Sequence, residues 1–262
     1  MSIASGDRLL AILALYSETR LQWSPQEMID ALGYSRPTLY RYLKLLKENG
    51  FLAPVPGGSY ALGPHLVELD FLVRKSDPLV AFSQTHLDDL AGRFPGTAFL
   101  AQWYGDKLLC VASASRDPKV RTSYPRGRPM PLTTGAASKV ILANLPKRRQ
   151  TQLLAADPAY ASGQIDDAVF KRLRAIRRSG MAVAHGEVTP GIVGTAAPIL
   201  DDRGHPLASF CVSMEARAYA ALDRAGLEAA IRAAVAEVSA ATARAPETPD
   251  APSPIATSGG QR

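Results

Sequence analysis

Between Ser35 and Lys47 the chain places four basic residues, Arg36, Arg41, Lys44 and Lys47, and no acidic one. Guanidinium and ammonium groups so arranged can pair with the phosphates of a duplex, while Ser35, Pro37, Thr38 and Tyr40 can reach base edges. On a helical wheel Pro37, Tyr40, Arg41 and Lys44 share one face, with Arg36 and Lys47 beside it. Leu39, Tyr42, Leu43 and Leu46 share the other face, the core side of a small domain. The basic face is either a DNA-contacting surface or a solvated one. Other chemistry finds little support. Cys110 and Cys211 have no histidine beside them, and His65, His86, His185 and His205 lack metal-ligand spacing. The glycines between Gly186 and Gly194 lack the Lys-Ser or Lys-Thr of a phosphate loop. Neither a metal nor a cofactor is expected, and an enzyme is the less supported alternative.

The elements that must hold this helix are legible on both sides of it. Asp7–Tyr16 is dense in apolar residues and reads as a buried helix. Ser24-Pro25-Gln26-Glu27 is a capping box with proline at the first helical position, and Gly33 is a left-handed stop. Only Tyr34 then precedes the next N-cap, Ser35, whose helix runs to about Asn49. Two short helices joined by a glycine-bearing turn form a helix-turn-helix. Phe51-Leu52, the turn Pro56-Gly57-Gly58 and Tyr60-Ala61-Leu62 read as a wing. Pro64–Arg74 reads as a linker helix, broken at Asp77-Pro78.

Beyond the break the pattern mixes helices with hairpins. Leu79–Phe94, Gly135–Leu145, Asp166–Ser179 and Ala220–Ala243 read as helices. Thr97–Tyr104 and Lys107–Ser113 flank the turn Gly105-Asp106, and Ile192–Leu200 and Pro206–Met214 flank Asp201–Gly204. Val120–Tyr124 and Met181–His185 complete the expected strands. The fold class is α+β. Expected bounds are a winged helix-turn-helix over 1–63, a linker helix over 64–77, a larger domain over 78–245 and a disordered tail over 246–262.

Composition agrees with a folded chain of one large or two modest domains. Its 262 residues carry 47% hydrophobic and 21% charged residues, which excludes a wholly disordered, collagen-like or rod-like molecule. The net charge of +6 favours a polyanionic partner. Two cysteines build no disulfide framework, no apolar run suits a membrane, and MSIASGDRLL lacks a secretory pattern. A cytoplasmic location is expected.

Three stretches resemble the IclR family of bacterial transcriptional regulators. They are Tyr34–Leu43 with Leu45–Leu52, then Pro131-Leu132-Thr133-Thr134-Gly135-Ala136-Ala137-Ser138-Lys139, and then Gly186-Glu187-Val188-Thr189-Pro190-Gly191-Ile192-Val193-Gly194-Thr195-Ala196-Ala197-Pro198-Ile199. The resemblance runs from residue 5 to about 242. It implies an N-terminal winged helix and a C-terminal GAF-like (profilin-like) domain that binds a small-molecule effector. It also implies a homodimer or dimer of dimers on a palindromic double-stranded operator. Carried over residue by residue, it puts the effector wall at Thr122 and Met130, and at Thr133, Thr134, Gly135, Ala136 and Ala137. Ile192, Gly194, Cys211 and Ser213 complete that wall. Backbone amides at such a helix start attract anions, and aliphatic Met130 and Ile192 suit an apolar ligand body.

The family often has His at the Thr133 position and an acid at the Ala184 position. Their replacement points to a larger organic or aromatic acid rather than a small, highly polar one. From Arg116 to Arg149 there are nine Lys or Arg against the single acid Asp117. That stretch is either a solvated surface or, through Arg121, Arg126 or Arg128, an aid to an anionic effector. Effector occupancy is expected to alter the winged helices' fit to half-sites through the linker helix. The alternative is a DNA-binding protein whose larger domain only oligomerises.

Overall fold

The computed structural model describes residues 5–116, 124–161 and 165–244. The chain divides into two units, Met1–Asp77 and Pro78–Arg262. The expected tail and most of the strand expected over Val120–Tyr124 lie outside the described residues.

In the first unit, α1 (Ser5–Leu13), α2 (Pro25–Leu32) and α3 (Arg36–Glu48) pack around Ile12, Met28, Leu39, Tyr42, Leu43 and Leu46. The capping box forms: the Glu27 amide donates to Ser24 Oγ, and the Ser24 amide donates to the Glu27 carboxylate at 2.8 Å. Gly33 ends α2 in the left-handed region, its amide reaching the Ile29 carbonyl at 2.8 Å. The first helix stops at Leu13, three residues short of the expected Tyr16. The chain turns there so that the Tyr16 hydroxyl donates to the Tyr60 carbonyl (3.0 Å) and the Trp23 indole to the Leu15 carbonyl (3.2 Å). Burial raises the Tyr16 pKa to about 12, which keeps this hydroxyl a neutral donor.

The wing is an antiparallel pair, β1 (Leu52–Val55) with β2 (Ser59–Leu62), registered Leu52 to Leu62. Helix α4 (His65–Ser76) begins tied to the end of the helix-turn-helix. The His65 amide donates to the Gly50 carbonyl (3.0 Å) and the Gly63 amide to the Phe51 carbonyl (2.8 Å). The Phe51 and His65 rings meet edge to face at 4.9 Å. None of the side chains of α4 is buried, and Val67, Phe71, Leu72 and Val73 stand exposed on it.

The second unit opens with α5 (Pro78–Arg93), followed by β3 (Thr97–Trp103), β4 (Leu108–Ser115) and β5 (Pro129–Met130). Helices α6 (Ala136–Asn144), α7 (Lys147–Ala156), α8 (Pro158–Ala161) and α9 (Asp167–Ser179) come next. Strands β6 (Ala182–His185), β7 (Ile192–Leu200) and β8 (Pro206–Glu215) then lead into α10 (Ala216–Ala220) and α11 (Arg224–Arg244). The strands form one antiparallel sheet in the order β5-β4-β3-β8-β7-β6. This is the α+β class expected.

Alternation divides the side chains of this sheet between two interiors. Ala208, Phe210, Val212 and Met214 of β8 join Leu87 and Leu90 of α5 and Leu227, Ile231 and Val238 of α11. Cys211 faces the other way, with Phe99, Cys110, Met130 and the alanines Ala136, Ala137, Ala184 and Ala196 around α6. Helix α7, which the sequence did not announce, is polar on most of its surface. It buries Gln150 and Leu154, and the Gln150 amide donates to the carbonyls of Leu142 and Leu145 at the end of α6.

Gly96 sits at φ 102, and a Cβ there would lie 2.1 Å from the Ser213 carbonyl. The approach brings the start of β3 against β8, beside the residues that later line a cavity. Gly96→Ala combines backbone strain with a clash, and we expect it to destabilise the second unit by about 2 kcal/mol or more. Urea unfolding followed by near-ultraviolet circular dichroism measures this; an unchanged midpoint would mean the strand pair adjusts freely.

Candidate DNA-contacting helix and ligand cavity

Ser35, Arg36, Pro37, Tyr40, Arg41, Lys44 and Lys47 are all exposed on α3, and Thr38 is half-buried. The opposite face, Leu39, Tyr42, Leu43 and Leu46, is buried, so one wheel sorts the helix as expected. Ser35 occupies the N-cap with extended backbone but makes no side-chain cap bond. Its hydroxyl donates to Thr38 Oγ1 at 2.9 Å instead. The first amides of α3 therefore keep their capacity for an external acceptor. The Arg41 guanidinium lies 5.2 Å from the centre of the Tyr42 ring, and Lys44 is 3.8 Å from Glu48 one turn on. Both contacts are at the surface, where solvent leaves such pairs weak.

The second unit holds a partly open cleft of about 60 Å³ between the sheet and the start of α6. Met130, Gly135, Ala136, Ala137, Ile192, Gly194, Cys211 and Ser213 line it together, although they come from four separate stretches of sequence. Gly194 and Ser213 are opposite one another in the β7–β8 register, and Phe99 of β3 is opposite Cys211. The small side chains are what leave the room. A Cβ on Gly194 would touch both Ala136 Cβ (3.5 Å) and Cys211 Sγ (3.6 Å).

Three expected wall residues are not placed in this cleft. Thr122 lies outside the described residues. Thr133 is buried, with its hydroxyl donating to the Asp157 carboxylate, and both Thr133 and Thr134 line a neighbouring depression with Lys139, Tyr160 and Arg172. Their backbone precedes Gly135, whose φ of 87 swings the chain into the helix and turns the two threonines toward α7 and α9. Arg126 donates to the Val111 carbonyl of β4, and Arg128 lies 5.4 Å from the Tyr124 ring, so both have local partners. Arg121 is outside the described residues.

Phe99, Tyr124, Glu187, Val188 and Thr189 line the cleft without having been singled out as wall residues, and Ala184, where the family often has an acid, lines it too. Phe99 could have been found by alternation, since it shares the phase of Ala101 in β3. Glu187 had no local signal. Its carboxylate accepts from the Gly135 amide at 3.0 Å, across 52 residues, and pairs with the Lys139 ammonium. The amide expected to meet an external anion thus already holds an internal one.

Burial pushes the Cys110 thiol up to about 11, and it raises the Cys211 thiol as well. Both remain protonated at neutral pH, which makes them poor nucleophiles. Among the described residues no group of three or more His, Cys, Asp or Glu could hold a metal ion. Among the same residues no helix is long and apolar enough to cross a membrane.

A winged helix with a basic exposed helix, followed by a sheet domain with an internal cleft, defines a DNA-binding transcriptional regulator. The IclR helix-turn-helix model matches residues 5–56, and the model of the bacterial transcriptional regulator IclR C-terminal region matches residues 72–240. The chain belongs to the IclR family. It is 26% identical over 217 residues to the Pca regulon regulatory protein of Pseudomonas putida, spanning 81% of this chain and 73% of that protein. Its fold is similar to the IclR transcriptional regulator from Alicyclobacillus acidocaldarius, with TM-score 0.76 and 23% identity over 92% of this chain and all (100%) of that one. It is also similar to an IclR homolog from Microbacterium hydrocarbonoxydans complexed with 4-hydroxybenzoate, with TM-score 0.76 and 18% identity over 93% and 100% of the two chains.

The raised thiols generate a direct expectation. Iodoacetamide at neutral pH should leave Cys110 and Cys211 unmodified in the folded protein and alkylate both after denaturation, with Cys110 becoming reactive only as pH approaches 11. Peptide mass spectrometry would read both sites, and rapid labelling of either in the native protein would show an activated thiol.

Proposed function

We propose that this regulator binds a palindromic duplex operator through α3 and that a small organic acid in the second-unit cleft modulates that binding. The observation that carries the effector reading is the cleft itself, walled by small and aliphatic residues at the start of α6. The 4-hydroxybenzoate complex of the Microbacterium homolog supports an aromatic acid of comparable size. Met130, Gly135, Ala136, Ala137, Ile192 and Gly194 would hold the ligand body, while Cys211 and Ser213 offer short donors. Thr133 and Thr134 act from the neighbouring depression, and Thr122 remains part of the proposed wall.

On DNA, Ser35, Pro37, Thr38 and Tyr40 face base edges, and Arg36, Lys44 and Lys47 face phosphates. Arg41, central on the exposed face, reads a base. The chain works as a homodimer or a dimer of dimers in the cytoplasm, where its DNA is. Exposed Val67, Phe71, Leu72 and Val73 on α4 are apolar surface that self-association would cover. Half-sites about 34 Å or a multiple apart would match a two-fold dimer, and effector occupancy would change the fit through α4.

Selection of genomic fragments at physiological salt tests the first half of this reading. Wild type should enrich a palindromic site, Arg41→Ala should relax base preference, and Lys44→Ala should weaken all binding. Salt-sensitive binding with no preferred site would reduce α3 to phosphate attraction. Thermal melts against carboxylic acids test the second half, since a ligand at 100 times its dissociation constant adds about 2.7 kcal/mol. No shift across a broad panel would favour a domain that only oligomerises. Phe71→Asp should drive the protein toward monomer in analytical ultracentrifugation.

A further inference from the structure

The segment between β6 and β7 forms a short flap, closed on itself by the Gly186 amide on the Ile192 carbonyl (2.8 Å) and the Ile192 amide on the Thr189 carbonyl (3.1 Å). Its residues Glu187, Val188 and Thr189 make one wall of the cleft. Val188 rests against the start of α6, where a Cβ on Gly135 would lie 2.9 Å from Val188 Cγ2. Glu187 fastens the flap there, accepting from the Gly135 amide at 3.0 Å and pairing with Lys139 in the first turn. Glu187 also lines the depression on the far side, with Lys139 and Arg172, so its side chain stands in the partition between two cavities.

The electrostatic consequence follows from the lining. Among the described residues of the cleft, Glu187 is the one carboxylate, and no Lys or Arg lines it. The Lys139 ammonium beside it is already neutralised by Glu187. From the described lining, an entering acid therefore meets a like charge and no free cation, unless Glu187 leaves its place. A partly buried carboxylate penalises an acid relative to its uncharged counterpart, and removing that carboxylate lessens the penalty.

We propose that Glu187 is the specificity-determining residue of the cleft, a resident anion that latches the flap and that an acid ligand must displace from Gly135 and Lys139. Displacement exchanges one carboxylate for another, keeps Lys139 neutralised, and frees the flap. An uncharged ligand of the same shape fills the cleft and leaves the latch closed. Ligand charge, rather than ligand size, then determines whether the flap moves. This rests on the small-molecule reading above, but the latch itself is present in the ligand-free chain and is tested without a ligand.

The first arm compares hydrogen exchange of wild type and Glu187→Gln, both ligand-free, over peptides covering 131–139 and 186–191. The isosteric amide cannot neutralise Lys139, and exchange of the flap should rise about tenfold. Unchanged protection overturns the latch. The second arm is calorimetry with 4-hydroxybenzoate and its neutral counterpart 4-hydroxybenzamide. Glu187→Gln should bind the acid about tenfold more tightly than wild type does, with the amide changed less than about twofold. Equal changes for both ligands overturn charge displacement. If exchange rises as expected but neither ligand binds either protein, the acid-effector reading and the displacement fall together while the latched flap stands.

Discussion

The sheet of the second unit has to bury both of its faces, and its central strand β8 meets that demand by strict alternation. Phe210, Val212 and Met214 point into the interior shared with α5 and α11, whereas Cys211 and Ser213 point toward α6. The two interiors are built differently. The α5–α11 side sets the longer side chains of Leu87, Leu90, Phe210, Leu227 and Ile231 among its alanines and valines. On the α6 side, Gly135, Ala136, Ala137, Ala184, Gly194 and Cys211 stand beside Phe99 and Met130, and their short side chains leave space between helix and sheet. A cleft is what remains when one face of a sheet is covered by small residues.

Helix α6 is therefore a packing element and a wall of the cleft at once. Its buried face, including Val140 and Ile141, keeps it on the sheet. Its first turn contributes the Gly135 amide and Lys139, both of which engage Glu187. Its last carbonyls are met by Gln150 of α7. Each end of α6 is thus satisfied by a side chain from elsewhere in the fold, and neither end depends on its own flanking residues for a side-chain cap.

The parts of this architecture that were legible in the sequence are those governed by short-range rules. The capping box at Ser24, the glycine stop at Gly33 and the apolar spacing of α3 each involve residues within a turn or two. The β7–β8 hairpin was likewise legible, from its bounded strands and the turn at Asp201–Gly204. Family resemblance added the cleft residues Gly135, Ile192, Gly194 and Cys211, which no spacing rule would have grouped. The illegible parts depend on pairings across long separations. Thr133 was expected to face a ligand, yet Asp157 takes its hydroxyl; Gly135 was expected to present a free amide, yet Glu187 occupies it. Helix α7 escaped notice because its sequence, rich in Arg and Gln, buries Gln150 and Leu154 and leaves no apolar stripe to read.

In the first unit, the tie between His65 and Gly50 gives α4 a mechanical meaning. The start of α4 is hydrogen-bonded to the residues that end α3 and begin the wing, so α4 is tied directly to both. Twelve helical residues span about 18 Å, so a tilt of roughly 10° at one end displaces the other by about 3 Å. That displacement equals the length of a hydrogen bond, which is the whole margin between contacting a base edge and missing it. In the function proposed above, a rotation of that size would carry α3 out of reach of several base edges at once, a larger change than the loss of any single side chain.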